Sequence, residues 1–160
     1  MKPILYILCG PSGCGKSTWA YKFMYDNVDK DIRYVSRDEI RFSMLKDDED
    51  YFAHEKEVFQ KFVSTIAQTL IDGFDVIADA THLDVFSRRK LIYNVDQIYT
   101  DYEIIYVAFN TSVEKCLQHN NERTGRQHVP DDTIRAMCDK YRAPRMDEDK
   151  RLIDIIEVSD

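Results

Sequence analysis

Ile4-Leu5-Tyr6-Ile7-Leu8-Cys9-Gly10-Pro11-Ser12-Gly13-Cys14-Gly15-Lys16-Ser17-Thr18 is the stretch on which the reading of this chain turns. Ile4–Cys9 is a continuous apolar run, the pattern of a strand buried on both faces. From Gly10 the sequence fits G-x-x-x-x-G-K-[ST] in full. A helix-forming stretch from Lys16 to about Tyr25 follows, so the motif has the strand–loop–helix context it needs. Glycines let backbone N–H groups converge on an anion without Cβ clashes. The helix start adds partial positive charge. Gly13, Cys14, Gly15, Lys16, Ser17 and Thr18 are therefore the expected nucleotide-binding residues, with ATP as the nucleotide. In such a loop the lysine, here Lys16, reaches the β- and γ-phosphates, and the Ser17 hydroxyl ligates Mg²⁺.

The rest of the composition supports a built site. The 160-residue chain has only five glycines, and three of them, Gly10, Gly13 and Gly15, lie in this loop. At 44% hydrophobic and 12% aromatic the chain can bury a core without staples. Collagen-like, low-complexity and disordered classes are excluded. No apolar run approaches the ~20 residues that cross a bilayer, and the N-terminal stretch does not read as a signal peptide. The four cysteines show no metal-ligand or Cys-x-x-Cys spacing, so reduced thiols in a cytoplasmic protein are expected. The net charge of −7 argues against wrapping a long nucleic acid. Residues 110–145 carry seven Lys/Arg against five Asp/Glu, so positive charge gathers late in the chain.

Outward from the loop, strands alternate with helices. Ile32–Val35 reads as a strand and Ser36–Leu45 as a turn and short helix. The acidic run Asp47–Asp50 reads as a solvated helix N-terminus. Tyr51–Ile71 reads as an amphipathic helix of about five turns, with Glu55 and Gln60 facing out and Gly73 closing it. Phe74–Ala78, Glu103–Phe109 and Leu152–Val158 complete the strands. Val85–Ile98, Ser112–Glu122 and Asp131–Tyr141 complete the helices. Parallel strands need crossovers, so the expected fold is a three-layer α/β domain over residues 1–160. It has about five parallel strands, helices on both faces and a short lid.

Ligands of an open α/β sheet bind outside the carboxyl ends of its strands. Ser36-Arg37-Asp38-Glu39-Ile40-Arg41 lies just past the second strand. Asp38 is the candidate base beside an acceptor hydroxyl, and Arg41, one turn on, can bind an acceptor phosphate. The ordinary alternative is a helix cap, with Ser36 or Asp38 as N-cap and Arg41 on the surface. Asp79 ends the third strand, near Mg²⁺ or the acceptor. Thr81 sits beside it, and His82 reads as a surface loop residue. Glu122–Pro130 reads as a basic lid in which Arg123 and Arg126 can meet the phosphates. Cys14, inside the phosphate loop, is a place where oxidation would block ATP.

These pieces resemble the P-loop kinase domain of the 5′-hydroxyl polynucleotide kinase family, including its bacteriophage members, over Ile4 to about Tyr141. Gly13–Ala20, with Trp19-Ala20 after Ser-Thr, is similar to that family's phosphate loop. Arg37-Asp38-Glu39-Ile40-Arg41 is similar to its Arg-Asp-x-x-Arg segment, which implies Asp38 as base and Arg41 as clamp for an acceptor phosphate. Asp79 matches the acidic strand end that shapes the acceptor site. Asn120-x-x-Arg123 with Val129-Pro130 looks like the lid, implying that Arg123 touches phosphate. Two positions depart from the pattern: His119 stands where the family has a further lid arginine, and Asp79-Ala80-Thr81-His82 replaces Asp-Thr-Asn. The resemblance stops short of the 3′-phosphatase domain found in the bacteriophage enzyme. It implies an ATP- and Mg²⁺-dependent kinase of a nucleic-acid 5′ end. Kinases of a small molecule, nucleoside or sugar nucleotide, including zeta-like toxins, share the machinery. An ATPase or switch without an acceptor would leave Asp38 and Arg41 unexplained.

Overall fold

The apolar run Ile4–Cys9 forms strand β1, and its alternate side chains go to opposite sides of a sheet. The structure, a computed structural model, describes residues 1–159 except for the Arg126 side chain. The order of elements is β1, α1 (Lys16–Asp26), β2 (Ile32–Ser36), α2 (Arg37–Met44), α3 (Glu55–Ile71), β3 (Asp75–Asp79), α4 (Val85–Asp96), β4 (Glu103–Asn110), α5 (Val113–Asn121), α6 (Asp131–Lys140) and β5 (Leu152–Ser159). The five strands are parallel and ordered β2-β3-β1-β4-β5.

Leu5, Ile7 and Cys9 pack with Phe62, Ile66 and Leu70 of α3 and Leu91 and Val95 of α4. Tyr6 and Leu8 pack on the other face with Ala20 of α1, Cys116 of α5 and Ile134 of α6. Two apolar clusters thus sandwich one sheet, giving the three-layer P-loop NTPase/kinase fold. β1 reads as continuously hydrophobic because both its faces are covered.

Local signals explain most boundaries. Asp84 caps α4 in a reciprocal box with Ser87, and Ser112 caps α5 through the Lys115 N–H. α3 ends in a Schellman turn: Phe74 N–H reaches the Thr69 carbonyl and Gly73 N–H the Leu70 carbonyl. Four sequence expectations are corrected. α3 begins at Glu55, not Tyr51, and residues 51–54 form turns. The acidic run is therefore not a helix start; Glu49 instead accepts the Lys46 N–H at 2.8 Å and pairs with His54 at 2.6 Å. Ile71, which the apolar pattern running through Val58, Phe62, Ile66 and Leu70 would include, faces away from the core at 43% exposure.

The fourth correction concerns His82, which is 6% exposed and not a surface residue. Its Nδ1 lies 2.7 Å from the Leu8 carbonyl, so Nδ1 carries the proton and donates. Its own carbonyl accepts from Arg88, whose guanidinium forms a buried bidentate pair with Glu148 at 2.9 and 3.0 Å. Burial disfavours the imidazolium and pushes the pKa down to about 4. An unfolded chain protonates His82 near ~6.5. Between pH 6.5 and about 4 the unfolded state therefore binds the extra proton, and stability drops on acidification by up to about 1.4 kcal/mol per pH unit. His82→Asn keeps a donor for Leu8 and suits the left-handed backbone here (φ 44°). Its thermal unfolding midpoint should fall less steeply than that of the wild type between pH 6.5 and 4.5.

Candidate active site

The strand order sets three carboxyl ends side by side: β1 runs into the glycine loop, β3 ends at Asp79, and β2 ends at Ser36 in register with Asp79. The Gly10 N–H donates to the Thr81 carbonyl at 2.8 Å, continuing the β1–β3 alignment past the strands. These ends open into one cleft of about 460 Å³. Lys16, Ser17, Asp38, Arg41, Asp79, Thr81 and Arg123, which the sequence singled out separately, all line it. The side chain of Arg126 lies outside the described residues.

At the loop end, Gly13 and Gly15 have φ of 82° and 92°. A Cβ on Gly13 would stand 2.5 Å from the Cys116 carbonyl oxygen, so only glycine fits. The loop carbonyls are held from outside. His119 Nδ1 donates to Gly13 O at 2.7 Å and Thr111 Oγ1 to Cys14 O at 3.2 Å. Lys16 Nζ donates to Gly10 O and Pro11 O at 3.1 and 2.9 Å. Helix α1 starts at Gly15 with no side-chain cap, so its first N–H groups await an acceptor. Uncapped N–H groups, a lysine and the adjacent Ser17 hydroxyl fit a polyphosphate with Mg²⁺.

His119 thus binds the underside of the loop, where a lid arginine was the comparison. Asn120 is fully buried and closes the lid base: Nδ2 donates to the Val129 carbonyl and Oδ1 accepts the Val129 N–H.

The acceptor end resolves the choice left open at Ser36-Arg37-Asp38. Ser36 is the cap, accepting the Glu39 N–H at 3.2 Å, so Asp38 is free of capping. Arg41 is not on the surface; it is 6% exposed. Its Nε and Nη2 donate to the two oxygens of Glu55 at 2.8 and 2.6 Å. Its Nη1 donates to Tyr51 Oη and to Asp38 Oδ1. Tyr51 Oη in turn donates to the same Oδ1 at 2.7 Å. Glu55, expected to face out, therefore faces the cleft, and also accepts from Arg37 at 3.2 Å. Glu55 stands three, four and seven residues before Val58, Phe59 and Phe62, so it shares their inward side of α3 at the first turn.

Asp79 is 9% exposed, and burial raises its pKa against the opposing pull of Lys16 and a 2.5 Å bond donated by Tyr34. Tyr34, Tyr51 and Glu55 escaped the sequence reading because no motif marks them; each acts through a partner well removed in the chain. Asn120 was marked by the Asn120-x-x-Arg123 spacing, and the signal available for Glu55 was its phase with Val58 and Phe62.

A family profile described as an AAA domain matches residues 5–144, and the chain belongs to that family. No curated protein matches it in sequence. Among solved structures, a chain of the Pnkp1/Rnl/Hen1 RNA repair complex is similar at 24% identity and TM-score 0.73, over 87% of this chain and 44% of that one. A sugar kinase from Janibacter sp. HTCC2649 is similar at 14% identity and TM-score 0.67, over 99% and 86%. A fungal RNA kinase is similar at 15% identity and TM-score 0.67, over 98% and 38%. The chain thus spans less than half the length of the RNA repair chain it matches. At these identities the likeness defines the fold. No helix among the described residues is long and apolar enough to cross a membrane.

Two measurements probe this site. Cys9, Cys14 and Cys116 are buried and burial pushes their thiols up, Cys9 and Cys116 to about 12, so they stay protonated and shielded. Alkylation of the native protein followed by mass spectrometry should label the half-exposed Cys138 first and spare Cys14; prompt labelling of Cys14 would instead support an oxidant-sensitive loop. Glu55→Gln removes the counter-charge from a buried guanidinium, and denaturant unfolding should show a loss of about 2 kcal/mol.

Proposed function

We propose that the protein is a phosphotransferase that moves the γ-phosphate of ATP to a hydroxyl held at Asp38, and that the preferred acceptor is the 5′-hydroxyl end of a polynucleotide. The observation that carries the reading is that one cleft is lined by Lys16 and Ser17 at one end and by Asp38 and Arg41 at the other. An ATPase or switch has no use for the second end.

The chain's own residues divide the work. The loop N–H groups and Lys16 hold the β- and γ-phosphates, which requires Lys16 to leave the Gly10 and Pro11 carbonyls. Ser17 is the protein ligand for Mg²⁺, which neutralises phosphate charge when bound. Tyr51 and Arg41 both donate to Asp38 Oδ1, which orients the carboxylate and leaves Oδ2 to accept from the acceptor hydroxyl. As the acceptor oxygen bonds to the γ-phosphorus, its proton passes to Asp38 and the bond from phosphorus to the β–γ bridging oxygen breaks, releasing ADP. Arg123, from the lid segment, faces the charge that develops on the transferring group. Asp79 and Thr81 shape the floor between the two ends.

The Asp38-x-x-Arg41 spacing and the likeness to a chain of an RNA repair complex support a polynucleotide end. A specific observation favours a second reading, a small-molecule acceptor: Glu55 already neutralises Arg41, the residue meant for an acceptor phosphate, and a sugar kinase shares the fold. All four cysteines are free thiols, which supports a reducing compartment such as the cytoplasm.

The test supplies γ-labelled ATP with 5′-hydroxyl oligonucleotides, nucleoside 3′-phosphates, nucleosides and simple sugars. Label is expected on the oligonucleotide. Lys16→Ala and Asp38→Asn should each lower transfer by at least about a hundredfold, the usual reach of one positioned acid–base group. Label on sugars or free nucleosides alone would replace the polynucleotide reading with the small-molecule one.

A further inference from the structure

Resting on the phosphotransferase reading, we infer that the acceptor's terminal nucleobase stacks on the ring of Phe52, which makes the turn between α2 and α3 a base-recognition element. Phe52 is a phenylalanine at 68% exposure, and it lines the same cleft as Asp38. It does not hang loosely there. Its ring centroid sits 4.6 Å from that of Tyr51 at an interplanar angle of 83°. Tyr51 is itself met edge-on by Phe42 at 5.9 Å and 70°. The Arg41 guanidinium lies 4.3 Å from the Tyr51 centroid, against one face of the ring. Tyr51 is therefore committed on several sides, while Phe52 keeps an open face. The cluster is joined to the proposed reacting carboxylate by hydrogen bonds from Tyr51 Oη and Arg41 Nη1 to Asp38 Oδ1. A ring on Phe52 belongs to the same acceptor whose hydroxyl meets Asp38.

Charge points to the same occupant. The guanidiniums at this end, Arg37 and Arg41, both donate to Glu55, and Asp38 and Glu39 add two further carboxylates to the cleft wall. Affinity for backbone phosphates comes from uncompensated Lys/Arg that displace counterions. An end where carboxylates outnumber guanidiniums gains little that way. A flat, uncharged base is attracted by stacking, which needs no net charge and tolerates any sequence. A polyol has no aromatic face to offer.

The experiment measures kcat/KM for 5′-hydroxyl oligonucleotides of RNA and of DNA, each with and without a base on the terminal sugar. The wild type is expected to favour the base-bearing end by about tenfold, the size of one base–aromatic stack. Phe52→Ala should bring that ratio close to one, and Phe52→Trp should restore it. An unchanged ratio in Phe52→Ala, or no preference in the wild type, overturns the inference while label on the oligonucleotides still upholds the polynucleotide reading. Absence of label on every oligonucleotide, with label on sugars, overturns both.

Discussion

The structure depends on one tight approach: the backbone of Gly13 against the carbonyl of Cys116, where a Cβ would be only 2.5 Å away. That contact seats the glycine loop on α5 and brings the donors Thr111 and His119 under it. With the Gly13 and Cys14 carbonyls held from below, the trans peptide geometry turns the following N–H groups the other way. Gly15 begins α1 from this position in a left-handed conformation that offers no side-chain cap. An anion nest is thus the by-product of satisfying carbonyls elsewhere. Helix α5 leads directly into the lid segment that carries Arg123, so loop and lid share one support.

The opposite end of the cleft is built on electrostatics rather than close approach. Arg41 is nearly buried, and a guanidinium there needs partners. It finds Glu55 at two points, with Asp38 and Tyr51 at a third nitrogen. The network fixes Asp38 in place and spends the positive charge that an acceptor phosphate would otherwise meet. Orientation of the carboxylate and weak attraction for phosphate are therefore two results of one arrangement. The aromatic rings of the α2–α3 turn supply the surface that charge does not.

Behind the site lies a third region, where Arg88 pairs with Glu148 and also holds the His82 carbonyl, while the His82 ring donates to Leu8 of β1. This buried chain ties β1, the segment after β3 and the turn before β5. Burial keeps the His82 imidazole neutral, and protonating it on acidification would place a further charge in this buried region, which makes it acid-sensitive.

How much of this could be read from residues alone follows the range of the forces. Ile4–Cys9, the glycine loop and Lys16 announce strand, nest and helix because each signal is local: apolar continuity, absent Cβ atoms, helix propensity. The strands and helices, and with them the sheet class, follow from the same short-range patterns. Gathering Lys16, Ser17, Asp38, Asp79 and Arg123 into one cleft follows from parallel strands sharing one carboxyl edge. Glu55, Tyr51, Tyr34 and His82 did not follow. Glu55 and Tyr51 read as parts of a regular amphipathic helix, and His82 as an exposed loop residue, since periodicity counts neighbours along the chain only. Strand order brings Asp79 to Tyr34 and the Leu8 carbonyl to His82, and the turn between α2 and α3 brings Arg41 to Glu55 and Asp38 to Tyr51. The sequence by itself determined the phosphate loop and the layered sheet. Only the tertiary structure decided that Arg41 is already paired and that Phe52 faces the acceptor end, because burial of a charge and exposure of a ring are properties of the packed molecule.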